Sequence, residues 1–130
     1  MNSSNATIIR QAYADFAKGD IPAAIAVFDT AITWHVPGHG PLSGDYKGQN
    51  EVVGFFQRTM ELSGGVFSIE VHHVLAEDDV VVALVTVKAA RNGQSAAFPE
   101  VHVWRLVNGK VTEVREFQGD EQTEDRFWST

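Results

Sequence analysis

The chain has 130 residues, 44% of them apolar, and a formal net charge of −7, which suits one globular domain over residues 1–130. Lys and Arg together number only 10 and are scattered, so there is no basic patch of the kind nucleic acid requires. Cysteine is absent, which excludes disulfides, thiolate catalysis and Cys-ligated metals, and no apolar run approaches the roughly 20 residues of a membrane span.

Met1-Asn2-Ser3-Ser4-Asn5 has neither the basic nor the apolar part of an export signal, so a reducing cytoplasm is the expected location. Ile9, Ala12, Tyr13, Phe16 and Ala17 then fall on one stripe at helical spacing, predicting a helix from about Asn5 to Lys18 that Gly19 ends. Asp20 is placed to cap a second, short helix running to Phe28, with Pro22 in its first turn, where no N–H is needed. Ala31–Val36 reads as a strand, and His39 to Gly48 as a loop rich in glycine and proline. A third helix follows from about Gln49 to Leu62, with Val52, Val53, Phe56 and Met60 on its stripe.

Beyond Gly64-Gly65 the period changes to two. Phe67, Ile69 and Val71 alternate with polar residues, and Val80–Val87 is almost continuously apolar, as a central strand would be. Asn92-Gly93 and Asn108-Gly109 each separate strand-like runs, and Asn-Gly suits a tight hairpin turn with positive φ at both positions. The segments Val80–Ala90, Ser95–Val107 and Lys110–Phe117 should therefore form a meander, with Asp120 to Trp128 a short helix or a loop. Helices gathered before an antiparallel sheet give an α+β domain: a curved, mostly antiparallel sheet, with three helices from the N-terminal half on its concave face.

Two-residue turns set a register. His102 then lies beside Ala83 and Arg115, and Trp104 beside Glu113. One face should carry Glu100, His102, Trp104, Glu113, Arg115 and Phe117, and the other Val101, Val103, Leu84 and Val114. A bulge would flip part of this, and Pro99 offers one place for it. The first face mixes aromatic and ionisable groups, which suits a pocket with a few convergent polar groups or a solvated face with exposed rings. Tyr13, Phe16, Trp34, Phe56 and Trp104 are candidates for core or pocket wall, with Arg115 and Phe117 beside them.

Several motifs resemble the SnoaL-like proteins of the nuclear transport factor 2-like superfamily, to which the ketosteroid isomerases also belong. They are Tyr13-Ala14-Asp15-Phe16-Ala17-Lys18-Gly19-Asp20 at the end of the first helix, and Trp34-His35-Val36-Pro37-Gly38 with Pro41, Gly44 and Gly48. A third is Val101-His102-Val103-Trp104-Arg105 before Asn108-Gly109-Lys110-Val111. The resemblance implies a cone-shaped fold around a mostly apolar pocket, and a homodimer formed through the outer sheet face. By the same resemblance His35 stands where the isomerases have a general-base aspartate, and His102 where they have an oxyanion-binding one. Asp120 stands where the cyclases carry an acid after the last strand, and Tyr13 lies one place from the isomerases' helix-one tyrosine. Both aspartates are replaced, which sets the chain apart from those isomerases.

Two readings follow. One is an acid/base enzyme (isomerase, cyclase or hydrolase type) acting on a small apolar or polycyclic carbonyl compound. Its catalytic residues would be His35, His102 and Asp120, with Arg115 behind His102. The other is a non-catalytic module that binds an apolar ligand. With no cysteine and no HxH or HExxH spacing no metal is expected, and with no Gly-rich strand-to-helix fingerprint no nucleotide cofactor.

Overall fold

The first helical stripe is realised as α1 (Asn2–Ala17) in a computed structural model that describes residues 2–130, with side chains from Asn5 onward. Met1, where the stretch read as lacking an export signal begins, falls outside those residues. Gly19 takes a φ of 76° and stops α1, its N–H donating to the Phe16 carbonyl at 2.9 Å. Asp20 caps α2 (Ile21–Ile25) by accepting the Ala23 N–H at 3.2 Å. α2 ends earlier than the pattern suggests, because Phe28 already turns into the core (4% exposed) as the first residue of β1 (Phe28–Val36).

The loop that follows contains an element the pattern did not show, β2 (Gly44–Lys47), paired antiparallel with the end of β1. Four residues on a mostly exposed edge are too few to display a period of two. α3 (Gly48–Leu62) leads to β3 (Phe67–Glu77), β4 (Val80–Arg91), β5 (Gln94–Val107) and β6 (Lys110–Gln118). The tail forms a helix, α4 (Glu121–Ser129). The strand order is β2-β1-β6-β5-β4-β3, and only β1 and β6 pair in parallel.

Both Asn-Gly turns are two-residue hairpin loops, with φ of 52° and 76° at Asn92-Gly93 and 50° and 77° at Asn108-Gly109. Arg91 pairs with Gln94 and Ala83 with His102, as the turns require. The expected register between β5 and β6 holds only at the turn. Past Leu106↔Val111 an extra residue, Thr112, enters β6, so that Arg105 pairs with Glu113, Trp104 with Val114, and His102 with Glu116. Every β6 side chain from Glu113 on is turned over relative to the unbulged strand. The bulge lies at Thr112, not near Pro99. Further irregularities lie between Val71 and His73 and between Phe28 and Thr33, and such sites bend and twist a sheet.

The concave face carries the core. Ile9 of α1, Val52 of α3, Ile32 of β1, Val81 of β4, and Val111 and Val114 of β6 are completely buried, each stabilising the fold by about 1.5–3 kcal/mol. At one end α4 packs Phe127 against Phe98 and Trp128 against Phe67, with ring centroids 5.3 and 6.4 Å apart.

Candidate active site

Alternation along β5 turns Glu100, His102 and Trp104 to the concave face, and the Thr112 bulge turns Glu116 toward them. Trp34 of β1, Tyr13 of α1 and Glu124 of α4 complete the group. The Tyr13 hydroxyl oxygen accepts the Trp104 Nε1–H at 3.0 Å and lies 2.7 Å from His102 Nδ1. His102 Nε2 is 2.8 Å from Glu100 Oε1, and Trp34 Nε1–H donates to Glu116 Oε2 at 2.8 Å. The carboxyls of Glu100, Glu116 and Glu124 all border one further small cavity.

His102 is 2% exposed, Glu124 3%, Glu100 6% and Glu116 9%. Three carboxyls and an imidazole removed from water cannot all be charged. Burial, then the negative charge of Glu100, pushes the Glu116 carboxyl from its ordinary 4.5 up to about 7. Burial, then the neighbouring Glu100 carboxyl, raises Glu124 much further. Burial by itself would strip His102 of its proton. The hydrogen bond that His102 donates to Glu100, with the charges of Glu116 and Glu100, outweighs burial, so His102 is raised. Burial also raises Tyr13, which stays a neutral hydroxyl.

Donor atoms of Glu100, His102 and Glu116 lie within 4.8 Å of one another, a spacing that a small cation could bridge. Both imidazole nitrogens are already in hydrogen bonds, and the Trp34 N–H faces Glu116. The group is therefore tied together by protons.

Tyr13, His102 and Glu116 form the polar end of an apolar chamber of about 50 Å³. Its other walls include Phe16, Phe28, Trp34, Phe55, Phe56, Phe67 and Trp104. Phe16, Phe56 and Phe67 also line an open cleft of about 1130 Å³ between α1, α3 and β3. The Phe16 ring centroid lies 5.1 Å from that of Phe56 and 6.3 Å from that of Phe67, both edge to face.

A SnoaL-like domain model matches residues 9–114. The chain belongs to the SnoaL-like family. An uncharacterised protein of Mycobacterium tuberculosis is 27% identical over 123 residues, 94% of each chain. The solved structure of Bal32a, from a soil-derived mobile gene cassette, is 33% identical and superposes with a TM-score of 0.94 over 98% of both chains. A protein of unknown function with a cystatin-like fold from Xanthomonas campestris is 28% identical, with a TM-score of 0.91 over all of both chains.

Within this family fold, His102 and the expected wall residues Tyr13, Phe16, Trp34, Phe56 and Trp104 all border the chamber. Four other expected residues do not. Arg115 and Phe117 lie on the outer face, exposed, because the bulge reverses their side of β6. His35 follows the inward Trp34 on β1, so alternation sends it outward, where Nδ1 meets Asp45 Oδ1 at 2.7 Å and Nε2 meets Glu113 Oε2 at 3.2 Å. Asp120 is the exposed N-cap of α4, accepting the Thr123 N–H at 3.1 Å, and that bond lowers its carboxyl below the usual value.

In their place the structure brings Glu116 to the chamber, with the buried Glu100 and Glu124 behind it. Glu100 was visible as the inward partner of His102 and Trp104 at a spacing of two. Glu116 was hidden by the bulge. Glu124 shares a helical stripe with the apolar Phe127 and Trp128, which marks it as an inward residue of α4.

Proposed function

We propose that the chamber is the active site of an acid/base enzyme that moves a proton on a small, largely apolar carbonyl compound. The carrying observation is the double engagement of the Tyr13 oxygen. With His102 protonated, that oxygen accepts N–H bonds from both Trp104 and His102. The phenol's own hydrogen then turns toward the chamber, where it stabilises negative charge growing on a substrate oxygen. Glu116 borders the same space, and a carboxyl that titrates near 7 suits a general base at neutral pH. Glu100 holds the imidazolium in place.

The test is solvent deuterium uptake at carbons next to a carbonyl, across a panel of cyclic and aryl ketones. Tyr13→Phe should lower turnover about 10²–10³-fold with little change in KM, and Glu116→Gln about 10²–10⁴-fold. Full activity in both variants would refute these assignments. A second reading, a non-catalytic binder, draws on the hydrogen bonds that already engage Tyr13, both nitrogens of His102, and Glu116. Ligands that bind but never exchange would favour it.

A further inference from the structure

A second cavity, also of about 50 Å³, adjoins the carboxyl cluster. Glu116 and His102 border both cavities, while Glu100, Gln118 and Glu124 border this one and not the chamber. Its outer wall includes the half-buried Gly40, Ser43 and Asp125. Asp125 ties this wall to α4 by accepting the His39 N–H at 2.9 Å and the Gly40 N–H at 3.1 Å. Gly38, at a φ of 95°, packs so closely on the Asp125 carboxylate that a side chain there would collide with it.

Two buried oxygens at this cavity, Gln118 Oε1 and Glu124 Oε2, receive no donor from the described residues. An acceptor buried without a donor is costly, so each needs an account. The two are satisfied differently. Glu124 borders the cavity together with Glu100, and burial beside that carboxyl raises Glu124, so it keeps a proton of its own. The Gln118 amide oxygen has no such proton, and the cavity has room for about three to five waters at 10–15 Å³ each.

We propose that this cavity is a water site anchored on Gln118, and that Glu116, Glu100 and Glu124 form a relay carrying protons between it and the reaction chamber. This rests on the acid/base reading of the chamber. Glu116, having taken a proton from the substrate, passes one to a Glu100 oxygen. Glu100 passes one to Glu124, and Glu124 gives its own to a water. Each step breaks one O–H bond and forms another, and one proton leaves in total. Glu124 is thus a relay residue that never touches substrate. The chemistry it fits is one whose proton is traded with solvent, such as addition or loss of water, over a transfer that returns the same proton to the same molecule.

The relay can be read without substrate, from exchange of the His102 Nε2–H with water by NMR saturation transfer on the full chain. Glu124→Gln keeps the size but cannot pass a proton, and should slow exchange at least about tenfold. Glu124→Asp should restore it. Gln118→Leu, which removes the water anchor, should slow it comparably and decides the matter if Glu124→Gln does not fold. A crystal structure should show an ordered water within hydrogen-bonding distance of Gln118 Oε1. Unchanged exchange in both variants, or a dry cavity, would overturn the relay and leave the roles of Tyr13 and Glu116 standing. Absence of turnover on ketones with relay-dependent exchange intact would do the reverse.

Discussion

Two histidines in this protein each sit between carboxyls, and only one of them borders the chamber. On the outer face the His35 side chain is 16% exposed, with partners Asp45 at 61% and Glu113 at 36%. On the inner face the His102 and Glu100 side chains are 3% and 4% exposed. The contact distances are similar, 2.7 and 2.8 Å for the shorter pair in each. Water screens the outer group, so its ion pairs do little beyond joining β2, β1 and β6. The inner group has no water to share the charge, so protons redistribute among its members instead. Contact alone therefore does not mark a reactive site. Contact together with exclusion of water does.

Which carboxylate joins which histidine depends on the side of β6 it occupies. The largest expected effect tests that side. Glu116→Arg would place a second cation beside His102 in the core, and should exceed the roughly 5–15 kcal/mol by which a domain of this kind is stable, leaving no cooperative unfolding transition. Glu113→Arg loses the contacts to His35 and Arg105 on the outer face, and should give a soluble, folded protein. Circular dichroism of the two variants decides, and the reverse result would restore the unbulged register.

The next effect compares the histidines directly. His102→Ala strands Tyr13 and Glu100 in the interior and should cost about 3–5 kcal/mol by denaturant unfolding. His35→Ala should leave the midpoint nearly unchanged. Equal losses would mean that burial does not separate the two groups.

This contrast also shows what the sequence could reveal. Helices, strands and both hairpins follow from periodicity and Asn-Gly chemistry, signals spread over many residues. The inward set of β5, Glu100, His102 and Trp104, follows from simple alternation. The partner strand was misread because one inserted residue, Thr112, reverses parity, and no residue type announces a bulge there. Its hydroxyl donates to the Arg105 carbonyl at 3.3 Å, a contact that exists only once the strands have paired. His35 and Asp120 stand out only by resemblance of position. The first faces outward by alternation from Trp34, and the second is engaged in capping. Glu124 needed the tail to be settled as a helix before its stripe with Phe127 and Trp128 had meaning.

The smallest effect separates the two groups by pH. Glu116 is raised from 4.5 to about 7 on folding. Below 4.5 it is protonated in both states and its contribution is complete. Between 4.5 and 7 the unfolded chain gives up the proton that the folded chain keeps, so stability falls as pH rises, by at most roughly 3 kcal/mol. His102 is raised as well, so its contribution is present below its ordinary 6.5 and is lost as pH rises through the folded value, in the same direction. Asp45 works oppositely. The hydrogen bond from His35 lowers it from 3.8, so its contribution is present above 3.8 and is lost only as acid takes pH down through the folded value. Unfolding free energies measured from pH 3 to 9 should therefore peak in mild acid. Glu116→Gln should make the neutral limb shallower, leaving the part due to Glu124 and His102, and His35→Ala should alter the acid limb alone. A protein that grew more stable between pH 5 and 8 would show that the inner carboxyls ionise freely, and the distinction between a dry and a wet histidine cluster would fail with it.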